Sequence, residues 1–207
     1  MSTEPRAGEA GRLAAEDAAR ANHYALIGRL FHAAPDSILL ARLCGADAEP
    51  REDDTPLVRA WRALREACTA AFPVVVKQEY DTLFLGVGKS EVTPYTSNYV
   101  RGVSPDRHLV QLRERLERLG LGRCNAAFEV EDHVSGICDA MRALIEGDHG
   151  LAEQHRFFME FVYPGMAPLC ANVATATSSL FYRRVAEFTR AFLELEREAF
   201  EMHEADS

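Results

Sequence analysis

A short glycine-rich segment is the first place where the sequence suggests chemistry. Gly88, Lys89 and Ser90 match the end of the phosphate-binding pattern G-x-x-x-x-G-K-[ST], in which backbone N–H groups surround the phosphates. The pattern requires a glycine five residues before Gly88, and this chain has Leu83 there. A phosphate-binding loop also follows a buried strand, whereas the apolar residues before Gly86 recur at helical spacing. We therefore predict that Gly86 and Gly88 end a helix, because glycine adopts the left-handed conformation readily.

Three acidic residues and a histidine crowd the start of another predicted helix. They are Glu129, Glu131, Asp132 and His133. One interpretation is structural, because Asp132 is a suitable N-cap and carboxylates are favoured at helix N-termini. The other is functional, because an acidic group at this position could bind a cationic partner. The spacing alone leaves both interpretations open.

Metal-binding and nucleophile patterns are incomplete. Helical bundles that hold two metal ions use two Glu-x-x-His motifs with further glutamates, and this chain has a single match, Glu146 to His149, with Gly147 inside it. The pattern G-x-S-x-G is absent, and the 5 cysteines include no C-x-x-C pair. Buried free thiols are the best interpretation of this cysteine usage. We predict no catalytic site, no metal and no cofactor, and we keep a helical carboxylate metalloprotein as an alternative.

The charge and hydropathy of the chain restrict its partners. Its 207 residues carry a formal net charge of −9, which argues against nucleic acid, because Lys and Arg supply most of the affinity for phosphates. No apolar run approaches the roughly 18 residues that span a bilayer. The first residues, MSTEPRAGEAGRL, include acidic groups and no apolar core, unlike a secretory signal. We predict a cytoplasmic protein without stable membrane insertion, whose acidic surface suits a cationic partner.

Helical periodicity runs through most of the sequence, and no strand alternation or fixed repeat interrupts it. We predict one all-α domain over residues 1–207 with about nine helices, in which residues 1–18 are partly disordered. Residues 86–104 show no sustained period and form a long connection that divides an N-terminal from a C-terminal group of helices. Such a connection is often functional and also permits domain swapping, so we expect a monomer or a domain-swapped dimer.

Capping residues, proline and glycine mark the individual helix ends. Ser104 followed by Pro105 predicts a helix start. Pro164 and Gly165 predict the end of the helix before them. The last helix is predicted to be the longest, with Ser178 or Ser179 as its cap.

Several of these segments together resemble the TorD/DmsD family. The family pattern is an aromatic residue, Leu-Phe, a glycine-rich turn and Pro-Tyr-x-Ser-x-Tyr, and it is matched in order by Tyr80, Leu83, Phe84, Gly86, Pro94, Tyr95, Ser97 and Tyr99. The family motif Glu-Pro-x-Asp-His is matched by Glu129, Asp132 and His133, with Val130 in place of the proline. The Phe-Tyr pair near the start of the family's last long helix is matched by Phe181 and Tyr182. The resemblance covers roughly residues 20–200.

The resemblance implies a fold, a function and a partner. Members of this family are all-helical cytoplasmic chaperones that bind the twin-arginine signal peptide of a molybdenum-cofactor oxidoreductase and hold the client until its cofactor is inserted. The implied partner is therefore the catalytic subunit of a molybdopterin oxidoreductase, whose identity stays open. The implied client contacts are Tyr80, Leu83, Phe84, Pro94, Tyr95, Ser97, Tyr99, Glu129, Asp132 and His133. A helical adaptor with a different peptide target is the other alternative.

Overall fold

The fold is all-α, as predicted. The computed structural model describes residues 7–46, 54–86, 90–121, 131–147 and 149–205, so the predictions for Gly88, Lys89, Cys124, Glu129 and Val130 lie outside the described residues. Nine α-helical segments run through the described ranges: α1 Ala7–His32, α2 Ser37–Gly45, α3 Pro56–Ala70, α4 Pro73–Tyr80, α5 Pro105–Arg118, α6 Val134–Glu146, α7 Leu151–Phe157, α8 Tyr163–Thr175 and α9 Phe181–Ala205. Helix α1 includes residues 7–18, part of the segment expected to be disordered. None of the described helices combines the length and the apolar composition needed to cross a bilayer.

Several helix boundaries agree with the sequence pattern. The Ser104 hydroxyl accepts a hydrogen bond from the N–H of Arg107, and Pro105 is the first residue of α5, as predicted. A π turn, Asp81–Leu85, continues α4 and ends at Gly86, whose φ is +55°. This positive φ lies in the region that favours glycine, so the predicted helix end at Gly86 is confirmed.

The predicted helix end at Pro164 and Gly165 is wrong. A π turn, Phe158–Val162, joins α7 to α8, and Pro164 lies in the first turn of α8. Proline lacks an N–H, and the wider hydrogen-bond register of the π turn accommodates that loss. Gly165 is needed for a close approach instead, because a Cβ there would lie 2.6 Å from Cβ of Thr96.

The helices share one core, although the connection between residues 86 and 104 separates two groups of them along the chain. Helix α1 of the first group packs against α6 of the second, and α3 packs against α9. The connection itself contains a 3₁₀ turn, Thr96–Tyr99, which packs against α8. The two groups are therefore consecutive in sequence and interleaved in space.

A buried ion pair joins α1 to α9. The Glu196 side chain is buried, and its carboxylate accepts hydrogen bonds from Nε of Arg20 at 2.7 Å and from the hydroxyl of Tyr24 at 3.1 Å. Arg20 also donates to Oε1 of Gln154 at 2.9 Å, which brings α7 into the same network. Buried charges need such partners, because an unpaired charge in the interior is strongly destabilising.

The first turn of α9 is capped from α4. The buried Glu79 carboxylate accepts hydrogen bonds of 2.7 to 3.0 Å from three consecutive backbone N–H groups, those of Leu180, Phe181 and Tyr182. The predicted caps Ser178 and Ser179 are wrong, because the Ser178 hydroxyl donates to Glu91 and the Ser179 hydroxyl has no partner in the described residues. A helix N-terminus favours a carboxylate, and here a distant helix supplies it. Within the described ranges α9 has 25 residues and is one residue shorter than α1, so the prediction that the last helix is the longest does not hold there.

Candidate functional site

The two loop motifs singled out in the sequence meet in the structure. Tyr95 and His133 form an isolated antiparallel bridge. The N–H of Thr96 donates to the carbonyl of Asp132 at 2.8 Å, and the N–H of Val134 donates to the carbonyl of Pro94 at 3.0 Å. The bridge therefore fixes the Pro-Tyr-x-Ser segment against the start of α6.

Asp132 is buried at this junction and is not the N-cap of α6. Asp132 is only 3% exposed, and its carboxylate accepts a hydrogen bond from the hydroxyl of Ser97. The N-cap is His133, whose Nδ1 accepts from the N–H of Ser135 at 3.1 Å. The capping interpretation of Asp132 is wrong by one residue. Its carboxylate binds the Ser97 hydroxyl, which lies in a distant segment, and does not bind an N–H group of α6.

His133 is also buried, and its ring orientation follows from the cap. Because Nδ1 accepts from a backbone N–H, the neutral ring carries its proton on Nε2. The Tyr95 ring meets the imidazole edge to face, with ring centroids 5.4 Å apart. The His133 ring is therefore held between its own helix start and the Tyr95 ring.

The aromatic and Leu-Phe residues of the other motif lie in the core. Tyr80, Leu83 and Phe84 are all buried. The Tyr80 hydroxyl donates to the carbonyls of Phe31 at 3.1 Å and His32 at 2.8 Å, at the end of α1. These contacts orient α4 relative to α1, so Tyr80 has a structural role at the site.

Ser97 and Tyr99 hold the 3₁₀ turn in place. Ser97 is buried and bonds to Asp132, while the Tyr99 hydroxyl donates to the carbonyl of Thr93 at 2.8 Å. Burial raises the pKa of the Tyr99 hydroxyl above its ordinary value of 10.0. The phenol is therefore neutral at physiological pH and acts as a hydrogen-bond donor within the loop.

These elements surround a groove of about 700 Å³. We call it the client groove, after the client contacts that the resemblance implies. It is lined by the turn between α1 and α2, by α4 with its π turn, and by the bridge; the lining residues are His32, Ala33, Ala34, Pro35, Asp36, Pro73, Val74, Lys77, Tyr80, Asp81, Phe84, Leu85, Pro94, Tyr95 and His133. Five predicted site residues are among them, namely Tyr80, Phe84, Pro94, Tyr95 and His133. Four others, Leu83, Ser97, Tyr99 and Asp132, are outside the lining. Glu129 is outside the described residues.

Part of the groove was missed by the sequence patterns. Val74 and Leu85 line it and are 65% and 63% exposed. Apolar residues at helical spacing predict which face of a helix is buried, but they do not predict a groove beside the exposed face. In the described residues no three His, Cys, Asp or Glu side chains are grouped to hold a metal ion. The groove is thus suited to an apolar ligand with polar groups at its edge.

Comparison with known proteins places the chain in a family. The sequence profile of the nitrate reductase delta subunit family matches residues 51–194, which are 144 of the 207 residues. The chain belongs to the nitrate reductase delta subunit family. This family comprises chaperones of molybdoenzyme maturation, related to the TorD/DmsD proteins that the sequence resembles. Among curated proteins, none matches the chain.

The match to the nitrate reductase delta subunit family covers most of the client groove. It includes α4, the 3₁₀ turn and the bridge, but the turn between α1 and α2 lies before residue 51. The family acts in maturation of molybdenum oxidoreductase subunits and is not a family of catalytic enzymes. The family match confirms the predicted chaperone role in molybdoenzyme maturation, and the described helices confirm the predicted all-α fold.

Proposed function

We propose that this chain is a cytoplasmic chaperone that binds the twin-arginine signal peptide of one molybdoenzyme through the client groove. It holds the apoprotein and assists cofactor insertion before export. The observation that carries this proposal is the position of the groove, where the end of α4 and its π turn, with Tyr80 and Phe84, meet the Tyr95–His133 bridge. Both family motifs contribute lining residues to one cavity.

The composition of the groove fits the two parts of such a peptide. A twin-arginine signal has a cationic start and an apolar middle. The exposed side chains of Val74 and Leu85 offer apolar surface, and burial contributes about 0.8 kcal/mol per CH₂ group. The net charge of −9 attracts the cationic part over a longer range. Exposed ion pairs add only about 0–1 kcal/mol each, so the apolar contacts supply most of the affinity.

The predicted site residues divide into two roles under this proposal. Those that line the groove contact the client: Tyr80, Phe84, Pro94, Tyr95 and His133. Those behind the lining hold the contacting residues in place: Leu83, Ser97, Tyr99 and Asp132. The contact predicted for Glu129 stays a prediction.

A pair of matched substitutions tests the groove. Leu85 lines the groove and Val110 lies on α5 outside it, and both are at least half exposed. We expect Leu85→Asp to weaken binding of a synthetic twin-arginine peptide about tenfold, since it places a charge where apolar surface is buried. Val110→Asp adds the same charge elsewhere and should leave the dissociation constant unchanged. Fluorescence anisotropy with the labelled peptide measures both.

Changes in the peptide complete the test. Shortening its apolar segment should weaken binding strongly, and raising the salt concentration should weaken it modestly. If salt abolishes binding and the apolar truncation has no effect, the groove is not the binding site. Equal binding of a peptide without arginines would favour a general helical adaptor over a chaperone for twin-arginine clients.

A further inference from the structure

The charged side chains that line the client groove are not equivalent. Lys77 and Asp81 lie one helical turn apart, and Nζ of Lys77 is 2.5 Å from Oδ2 of Asp81. Their charges therefore offset each other. Asp36 belongs to the turn between α1 and α2. Within the described part of the chain, its carboxylate takes part in no ion pair and accepts one hydrogen bond, from the N–H of Leu39.

That hydrogen bond holds the Asp36 carboxylate in a defined position. Oδ1 is 2.8 Å from the Leu39 nitrogen, and Asp36 is the N-cap of α2. An ordered side chain loses less conformational entropy when it binds a ligand. A carboxylate has acceptor sites on both oxygens, so Asp36 can cap the helix and still accept from a cationic group.

Asp132, the acidic residue that the sequence pattern favoured, does not offer an exposed carboxylate to the groove as Asp36 does. Asp132 is buried, bonds to Ser97 and is absent from the lining of the groove. Asp36 is exposed and lies in the lining. It is therefore the acidic group of the groove that is neither buried nor paired with a lysine within the described residues.

We propose that Asp36 is a specificity-determining residue whose carboxylate binds a basic side chain of the peptide in the client groove. This inference rests on the proposed function, because it assigns one contact of the same peptide. Asp36 precedes residue 51, where the match to the family profile begins. The contact thus belongs to a part of the chain that the family profile does not cover, as expected for recognition of one particular client.

The test compares the parent protein with Asp36→Asn on two synthetic peptides. One peptide carries two arginines before an apolar segment, and the other has both arginines replaced by glutamine. Asparagine caps helices about as well as aspartate, so the variant keeps α2 and loses the charge. We expect the dissociation constant of the arginine peptide to rise about three- to fivefold, the effect of one exposed ion pair. That of the glutamine peptide should stay within about twofold.

Two further variants make the result decisive. Asp106→Asn removes an acidic residue from the first turn of α5, outside the groove, and should change neither dissociation constant. If Asp36→Asn lowers the melting temperature, Asp36→Ser supplies another uncharged cap for the same comparison. The contact is refuted if both peptides bind and their ratio of dissociation constants is the same in the parent and the Asp36 variant. If neither peptide binds the parent, the proposed function itself is refuted.

Discussion

The His108 imidazole is a buried titratable group close to the candidate site. It lies on α5, packs against Phe161 with ring centroids 5.4 Å apart, and its Nε2 has no hydrogen-bond partner among the described residues. Burial lowers the pKa of His108 below its ordinary value of 6.5, and the charge of Asp132 offsets part of that shift. The folded protein therefore holds this ring neutral at pH 7.

The lowered pKa of His108 predicts a loss of stability in mild acid. Below pH 6.5 the unfolded chain binds a proton at this histidine more readily than the folded chain does, so the free energy of unfolding falls as the pH falls. We expect His108→Leu to lose less stability than the parent between pH 7 and pH 5, measured by urea unfolding at each pH. The matched control is His203→Gln at an exposed histidine, which should follow the parent. A parallel decline of the parent and His108→Leu would contradict the prediction.

Asp132 and Ser97 illustrate which part of the site the sequence could predict. The residue types and their order identified both motifs, because short polar patterns beside helix starts are visible without a structure. The contact between them depends on two segments 35 residues apart. No local pattern specifies that the Ser97 hydroxyl, and not the helix start, binds this carboxylate. The roles of individual residues therefore could not be predicted, although their membership of the site could.

Gly165 connects the packing of α8 with the position of the 3₁₀ turn. A Cβ at residue 165 would lie 2.6 Å from Cβ and 2.9 Å from the carbonyl oxygen of Thr96. Gly165→Ala should therefore displace the 3₁₀ turn that follows Tyr95 and lower the free energy of unfolding by about 1–3 kcal/mol. Chemical denaturation measures this loss, and peptide titration should show weaker binding as well.

Gly45 supplies the control for that substitution. It is the last residue of α2, and a Cβ there would have no atom within 4 Å. Gly45→Ala should change the stability by no more than about 1 kcal/mol. Equal effects of the two substitutions would show that the contact with Thr96 does not determine the requirement for glycine at residue 165.

At the scale of helices, apolar periodicity was a better guide than the signals for helix ends. Helix α5 begins at Ser104 and Pro105 as predicted, because the cap and the proline act locally. Helix α9 is capped by Glu79, which lies about 100 residues earlier in the sequence. The helix continues from α7 into α8 through Pro164 because a π turn joins them and because Gly165 packs against the 3₁₀ turn. Local capping chemistry is predictable, whereas a cap or a close approach supplied by a distant segment is not.

At the scale of the whole molecule, the sequence predicted the all-α class because helical periodicity recurs along most of the chain. The arrangement of the helices could not be predicted from the sequence, because periodicity shows which face of a helix is buried but not which element covers that face. The contacts of α1 with α6 and of α3 with α9 bring together helices from both sides of the long connection. The groove depends on the same arrangement, because α1, α4 and the start of α6 all contribute to its lining.

This interleaved packing predicts that the chain unfolds as one cooperative unit. Trp61 is the only tryptophan, and its ring lies 5.3 Å from the ring of Phe188 at the contact between α3 and α9. Its fluorescence therefore reports on the association of the two helix groups, while far-UV circular dichroism reports on helix content. Separating the groups would also remove the Glu79 cap from α9 and break the buried pair of Arg20 and Glu196.

We therefore expect the two signals to give the same midpoint and the same slope in urea. Trp61→Phe provides the control. If this variant shows no fluorescence transition, the signal comes from Trp61 at the contact between α3 and α9. A fluorescence change that precedes the loss of helix would show that the two groups separate while their helices persist. In that case the connection between residues 86 and 104 would join two independently stable units, and the client groove would open before the protein unfolds.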